Sequence, residues 1–210
     1  MEKSILDLFT DEKIVNKIKK RLPYLFQIAE LESSRDGKIG MEVGSLREKV
    51  IIALLIYKFG ENNVNTNIPI TKSEIDVSVF NNSISIKTIT GNNLGGIKLI
   101  WTVDANSAMD FMNNYFPSCD MILVNIIWNA EGSFYYIPVK AQKEIFTKLG
   151  KKKYIKLPKA GTNPRGVEMS RDAILELAKH KLTKRIPVEW IKSEIEYRPY
   201  ERWVDLWSEE

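Results

Sequence analysis

Ser73-Glu74-Ile75-Asp76-Val77-Ser78-Val79-Phe80-Asn81-Asn82-Ser83-Ile84-Ser85-Ile86-Lys87 is the stretch that decides the fold. Alternation puts Ile75, Val77 and Val79 on one face of a first strand, with Asp76 and Ser78 on the other. Ile84 and Ile86 alternate in the same way with Ser85 and Lys87 in a second strand. Asn81-Asn82 suits a two-residue turn, because asparagine tolerates positive φ better than other non-glycine residues. That turn makes Val77 face Ile86, Ser78 face Ser85 and Asp76 face Lys87. One face of the hairpin is then apolar, and the other brings a carboxylate and an ammonium together at its open end. A carboxylate can hold a divalent cation while a nearby lysine orients or deprotonates a water, the parts that phosphodiester hydrolysis needs. Facing opposite charges are also a common surface pairing, worth well under about 1 kcal/mol, so the rest of the chain must decide between the two.

Working outward, a chain of 210 residues with 44% hydrophobic content has enough material for a substantial core and reads as one domain, 1–210, with an aromatic-rich tail over 187–210. It has one cysteine, Cys119, and one histidine, His180. Disulfide frameworks, cysteine zinc sites and histidine-cluster metal sites are thereby excluded, and a reducing compartment is the natural one. Met1-Glu2-Lys3-Ser4 opens acidic and amphipathic, and no apolar run approaches the roughly 20 residues of a membrane span. The expectation is a soluble, cytoplasmic protein.

The net charge of +4 is unevenly spread. Between Lys140 and Arg185 there are 14 Lys and Arg against 4 Asp and Glu, a local +10, while the remainder carries 17 against 23, or −6. Lys151, Lys152, Lys153, Lys156 and Lys159, with Tyr154 interleaved, form the densest part. A basic face beside an acidic remainder points to a polyanion whose phosphates meet the lysines; a solvated lysine-rich loop is the plain alternative.

Helical spacing runs from Asp11 to about Ser33, with Ile14, Ile18, Leu22, Leu25 and Ile28 as the apolar stripe and Pro23 as a kink or boundary. A glycine-bearing loop over 36–44 leads to a second helix starting at Ser45 and ended by Gly60. Segment 62–67 reads as loop. Strands follow at 97–103, 121–128 and 134–139, the last two joined by a turn at Gly132-Ser133, with a further strand near 154–157. Helices are expected at 105–115, 141–149 and 171–181, completing an α/β pattern with mixed strand directions. In the tail, Trp190, Tyr197, Tyr200, Trp203 and Trp207 pack either on the chain's own body or in an oligomer interface.

Ser45-Leu46-Arg47-Glu48 fits a capping box, which would occupy Glu48 with the amide of Ser45. Glu48 also sits in the first turn of an otherwise apolar helix just before the strand pair. Acid on a helix, acid on a strand and lysine on the next strand resemble the PD-(D/E)XK nucleases, the fold of most type II restriction endonucleases. The helix glutamate of that family is matched by Glu48, the first motif acid by Asp76 and the motif lysine by Lys87. Two positions depart: Ile75 stands where the pattern has proline, and Ser85 where it has an acid. The resemblance implies a central mixed β-sheet flanked by helices and Mg²⁺ held by Glu48, Asp76 and the Ile86 backbone carbonyl, with Lys87 orienting the attacking water. It implies a homodimer on double-stranded DNA with a companion DNA methyltransferase. It is closest to a blunt-cutting member specific for CGCG.

Base reading is expected of loops rich in small and amide residues: Asn92 and Asn93 after the lysine strand, and Asn163 and Arg165 after the lysine run, Arg165 gripping guanine in two hydrogen bonds. Met41, between Gly40 and Gly44, is either a core plug or an apolar wedge between base pairs. Two rivals stand beside this reading: a DNA-binding protein with an inactive nuclease fold, favoured by Ser85, and a repair or junction nuclease of the same fold.

Overall fold

A computed structural model describes residues 4–35, 38–40, 42–69, 74–92, 94–102, 104–158 and 166–209. Among them the chain order is α1 (Asp7–Thr10), α2 (Glu12–Glu32), β1 (Ser34–Arg35), β2 (Lys38–Ile39), α3 (Val43–Phe59), β3 (Val64–Asn65), β4 (Val77–Val79), β5 (Asn82–Thr90) and β6 (Ile97–Ile100). Then come α4 (Ala105–Asn114), β7 (Asp120–Ile126), β8 (Glu131–Ile137), α5 (Val139–Leu149), α6 (Lys151–Tyr154), β9 (Ile155–Lys156), β10 (Val167–Met169), α7 (Arg171–Ala178), β11 (Lys184–Glu189) and α8 (Glu201–Ser208).

The central sheet is mixed, in the order β11-β8-β7-β5-β4-β3, and only β5 and β7 run parallel. Strands β7 and β8 are apolar on both faces, as a sheet covered on both sides demands. Ile122, Val124 and Ile126 of β7 join Phe26, Ile51 and Leu55 of α2 and α3 in one core. Met121 and Leu123 face the other way, into a second core with Ala141, Ile174 and Tyr154 beneath α5, α6 and α7. A second sheet, β6-β10-β9, borders this second layer.

The hairpin forms, with a register two residues away from expectation. Val77 pairs with Ile84, Ser78 with Ser83 and Val79 with Asn82. The turn is therefore Phe80-Asn81, both at positive φ (50° and 66°). Positive φ is unfavourable for phenylalanine, and tertiary contacts offset it. The Phe80 ring packs edge-on against Phe59 at 5.1 Å, and its amide donates to the Asn63 carbonyl at 3.0 Å. Because side chains repeat every two residues along a strand, a slip of two leaves both faces intact.

Other boundaries also moved. Helix α2 runs straight through Pro23, which is buried within it. Segment 62–67 is not all loop, since Val64 and Asn65 pair with β4 as the edge strand. Gly132 and Ser133 lie inside β8, and the turn sits at Trp128-Asn129, with Asn129 at φ 65°. Gly132 is glycine for another reason: a Cβ there would collide with the Asn125 carbonyl and the Trp190 indole. Lys151, Lys152 and Lys153 of the lysine run lie in a helical turn, α6, and not in a loop, while the strand expected near 154–157 forms as β9 and carries Lys156. The tail divides: Pro187 lies in edge strand β11, where a missing N–H is tolerated, and Trp190 is fully buried against Phe26 and Trp128. Among the described residues no helix is long and apolar enough to cross a membrane.

Candidate active site

Strand β4 stops pairing with β5 at Val77 and Ile84, and the chain before it peels away at Asp76. The amide of Asp76 still donates to the Ile84 carbonyl at 3.0 Å. Beyond that point β5 has no strand on this side, and the Asp76 carboxylate takes the vacant ladder position. Its Oδ2 accepts from the Ile86 amide at 2.5 Å and from the Ser85 hydroxyl at 3.3 Å. The Lys87 ammonium stands 3.4 Å from the same oxygen. Ser85, where the family pattern has an acid, thus helps to hold the acid that remains.

The N–H and C=O of one strand residue face the same neighbour. The Ile86 carbonyl therefore points along the edge that its amide shares with Asp76, past the end of β4.

Glu48 reaches this place from α3. The expected capping box does not form, because the helix starts at Val43 and its N-cap is Glu42, so Ser45 already lies inside the helix. Glu48 is left free of that duty. Burial raises its carboxyl above the ordinary glutamate range, the Asp76 charge raises it further, and Lys87 and Lys49 pull the other way. Two carboxylates and a strand carbonyl are all hard oxygen donors of the kind Mg²⁺ takes, and a cation between Glu48 and Asp76 would relieve their repulsion. The residues fit such an ion. Among the described residues no cluster of three or more His, Cys, Asp or Glu exists, so the backbone carbonyl and water would complete the shell.

These groups line an open cleft of 770 Å³ together with Ile86, Thr88, Ile97, Lys98, Trp101 and Glu168. Lys98 and Trp101 on and after β6 were not anticipated. The Lys98 ammonium lies 3.4 Å from the centre of the Trp101 ring, which is largely exposed. Their signal was a tryptophan ending an alternating strand, Ile97-Lys98-Leu99-Ile100-Trp101.

Glu74 was also missed, although it shares the parity of Asp76 along the chain. It lines a small pocket with Lys87, Tyr115 and Cys119. One of its oxygens accepts from the Ser118 hydroxyl at 3.2 Å and the other is buried without a partner among the described residues. Burial raises the Glu74 carboxyl, with Ser118 and Lys87 opposing, and burial pushes the Cys119 thiol up to about 11. Lys87 therefore lines both the open cleft and the small pocket that holds Glu74.

The residues expected to meet DNA are more dispersed. Asn92 is exposed just beyond β5. Lys152 and Lys153 are exposed on α6, while the Lys151 ammonium is held by the Asn113 carbonyl. Lys156 lies 3.4 Å from Glu168, on the wall of the cleft. Met41, Asn93, Lys159, Asn163 and Arg165 lie outside the described residues.

The family model described as restriction endonuclease ThaI matches residues 8–209. A solved structure described as a restriction endonuclease in complex with substrate DNA is 58% identical, covers 96% of this chain and 97% of its own, and superposes with a TM-score of 0.91. No curated protein matches.

Proposed function

This chain belongs to the ThaI restriction endonuclease family and is therefore a site-specific deoxyribonuclease of type II; we propose that it hydrolyses double-stranded DNA at CGCG, leaving blunt ends, in a Mg²⁺-dependent reaction at Glu48, Asp76 and Lys87. The observation that carries the site assignment is the meeting of these three side chains, from a helix, a loop and a strand, in one open cleft.

Asp76 is positioned by the Ile86 amide and Ser85 hydroxyl, and Glu48 by the first turns of α3; with the Ile86 carbonyl they would hold the metal. When bound, Mg²⁺ neutralises charge on the scissile phosphate and lowers the pKa of a water. Lys87, 3.4 Å from Asp76, orients the attacking water and stabilises negative charge growing on the phosphoryl oxygens. Lys152 and Lys153, exposed on α6, and Lys156, beside the cleft residue Glu168, attract the DNA backbone. In this reading the enzyme acts as a homodimer with one site per strand, in the cytosol, beside a methyltransferase that protects the same sequence.

Incubation of the protein with plasmid and Mg²⁺ tests the proposal. Discrete blunt fragments ending within CGCG support it. A smear indicates a nonspecific nuclease, and a mobility shift without cutting indicates an inactive binder; either outcome overturns it.

A further inference from the structure

Among the described residues two surfaces lack partners, and they complement each other. The first is a groove of 720 Å³ between α2 and α3. Its floor is apolar: Leu22, Leu25, Val50, Ala53, Leu54 and the Tyr57 ring. Its rim carries Lys13, Lys17, Lys20 and Arg21 and no acid. The second is α8, in which no residue is buried. Tyr200, Trp203, Val204 and Trp207 follow the i, i+3, i+4, i+7 spacing of a single apolar stripe. They are nonetheless 74%, 55%, 59% and 89% exposed. The opposite face carries Glu201, Asp205 and Glu209 with one cation, Arg202.

The chain's own tail leads away from its own groove. Trp190 packs on Phe26 and Ser193 exchanges hydrogen bonds with Gln27 at 2.6 and 2.9 Å, while burial and then the Glu32 charge raise the Tyr197 hydroxyl, which places it near that end of α2. All three lie at the C-terminal third of α2, whereas the groove extends from Leu25 back to Lys13. At a rise of about 1.5 Å per residue the groove is roughly 18 Å long and α8 roughly 12 Å, so the helix fits within it.

We propose that α8 of one copy of this chain lies in the α2–α3 groove of a second copy, apolar stripe down and acidic face toward the lysine rim, with the exchange made reciprocally about a two-fold axis. The occupant is argued from charge complementarity and from area. An aromatic side chain buries about 150–250 Å². Three per tail, counted for both tails, contribute roughly 900–1,500 Å², which reaches the range of a stable interface before the groove side is included. This deepens the homodimer reading above, on which it rests, by naming the surfaces that join the copies.

Sedimentation velocity on the full chain, without DNA, tests it. Trp203→Glu with Trp207→Glu alters only exposed tail positions, and Ala53→Arg alters an exposed position on the groove floor. Each variant alone should raise the dimer dissociation constant at least roughly 30-fold. An equimolar mixture should recover dimers, because one intact tail then meets one intact groove. A wild-type chain that stays monomeric at high concentration overturns this proposal together with the homodimer reading. Dimers that survive both variants leave the homodimer standing and place its interface elsewhere. Dimers lost only with Ala53→Arg point to groove-on-groove packing, and dimers lost only with the tail variant to tail-on-tail pairing; both overturn the exchange.

Discussion

Two acid–base pairs bracket the same helix, and their contrast separates what holds this protein together from what it does. Arg47 and Glu30 join α3 to α2 with 5% and 6% of their side chains exposed and a 2.5 Å contact. That pair is closed: Arg47 also donates to the Thr90 hydroxyl at 2.9 Å, and the Trp128 indole donates to Glu30 at 2.8 Å. One residue further along the helix, Glu48 faces the other pair, Asp76 and Lys87, which stand 3.4 Å apart at the edge of an open cleft. This second pair is loose, crowded by a second carboxylate, and open to whatever enters. The first pair meets its partners within the chain, Arg47 Nε alone lacking one among the described residues; the second, in the proposed reading, is left for a metal and substrate to complete.

Breaking the closed pair should have the largest effect on folding. Arg47→Ala leaves Glu30 buried and poorly compensated, at an expected cost of about 3–5 kcal/mol in urea unfolding. Arg47→Met combined with Glu30→Gln should recover most of that loss, since no charge is stranded and the Trp128 hydrogen bond persists. If the double variant is as unstable as Arg47→Ala, packing and not charge holds this position.

Breaking the open pair should leave stability nearly untouched. Lys87→Ala is expected to lower the cleavage rate by about 10²–10³-fold, the usual effect of losing one preorganised charge-stabilising group. Asp76→Asn keeps an acceptor for the Ile86 amide yet should also stop cleavage. Thermal melts and single-turnover rates on the same samples separate the two pairs: a variant that loses cleavage only by unfolding would move Asp76 or Lys87 into the class of Arg47.

Glu48 sharpens the contrast through pH. Its carboxyl is raised in the folded chain, so it binds a proton more readily folded than unfolded. Its charge therefore weakens the fold above the folded pKa, and that penalty fades as pH falls through it. Glu48→Gln should accordingly raise the melting temperature of the metal-free protein at about pH 8 and by less at about pH 5. Cleavage at limiting Mg²⁺, where the free enzyme must offer the metal an ionised carboxylate, should decline on the acid side from above the ordinary glutamate value of about 4.3. An acid limb at or below that value would remove Glu48 from the site.

The smallest effect is expected at α6, whose lysines belong to neither pair. Changing Lys151, Lys152 and Lys153 to Gln should reduce the slope of log K against log salt by about 0.9 for each DNA phosphate no longer neutralised, with little change in cleavage at saturating enzyme. Lys151, already held by Asn113, should contribute least of the three. An unchanged slope would assign this turn to solvent.

Alternation along residues 75–87 was enough by itself to determine which side chains share a face, and that survived a two-residue error in register because the strand period is two. Composition likewise determined that any metal site must be built from carboxylates and carbonyls, since the chain has one cysteine and one histidine. The turn position was not legible, because Phe80 takes a positive φ only where Phe59, 21 residues earlier in the chain, packs against its ring. The role of Glu48 was ambiguous for a similar reason: the same four letters serve a capping box or leave an acid free on a helix, and the helix start at Val43 removes the cap. Gly132 looked like a turn because a close approach to Trp190 leaves no mark in its own neighbourhood. Local patterns report what each residue does for its own strand or helix. The buried Arg47–Glu30 pair, the vacant ladder position filled by Asp76, and the groove between α2 and α3 exist only once distant segments pack, and so the tertiary structure alone decided them.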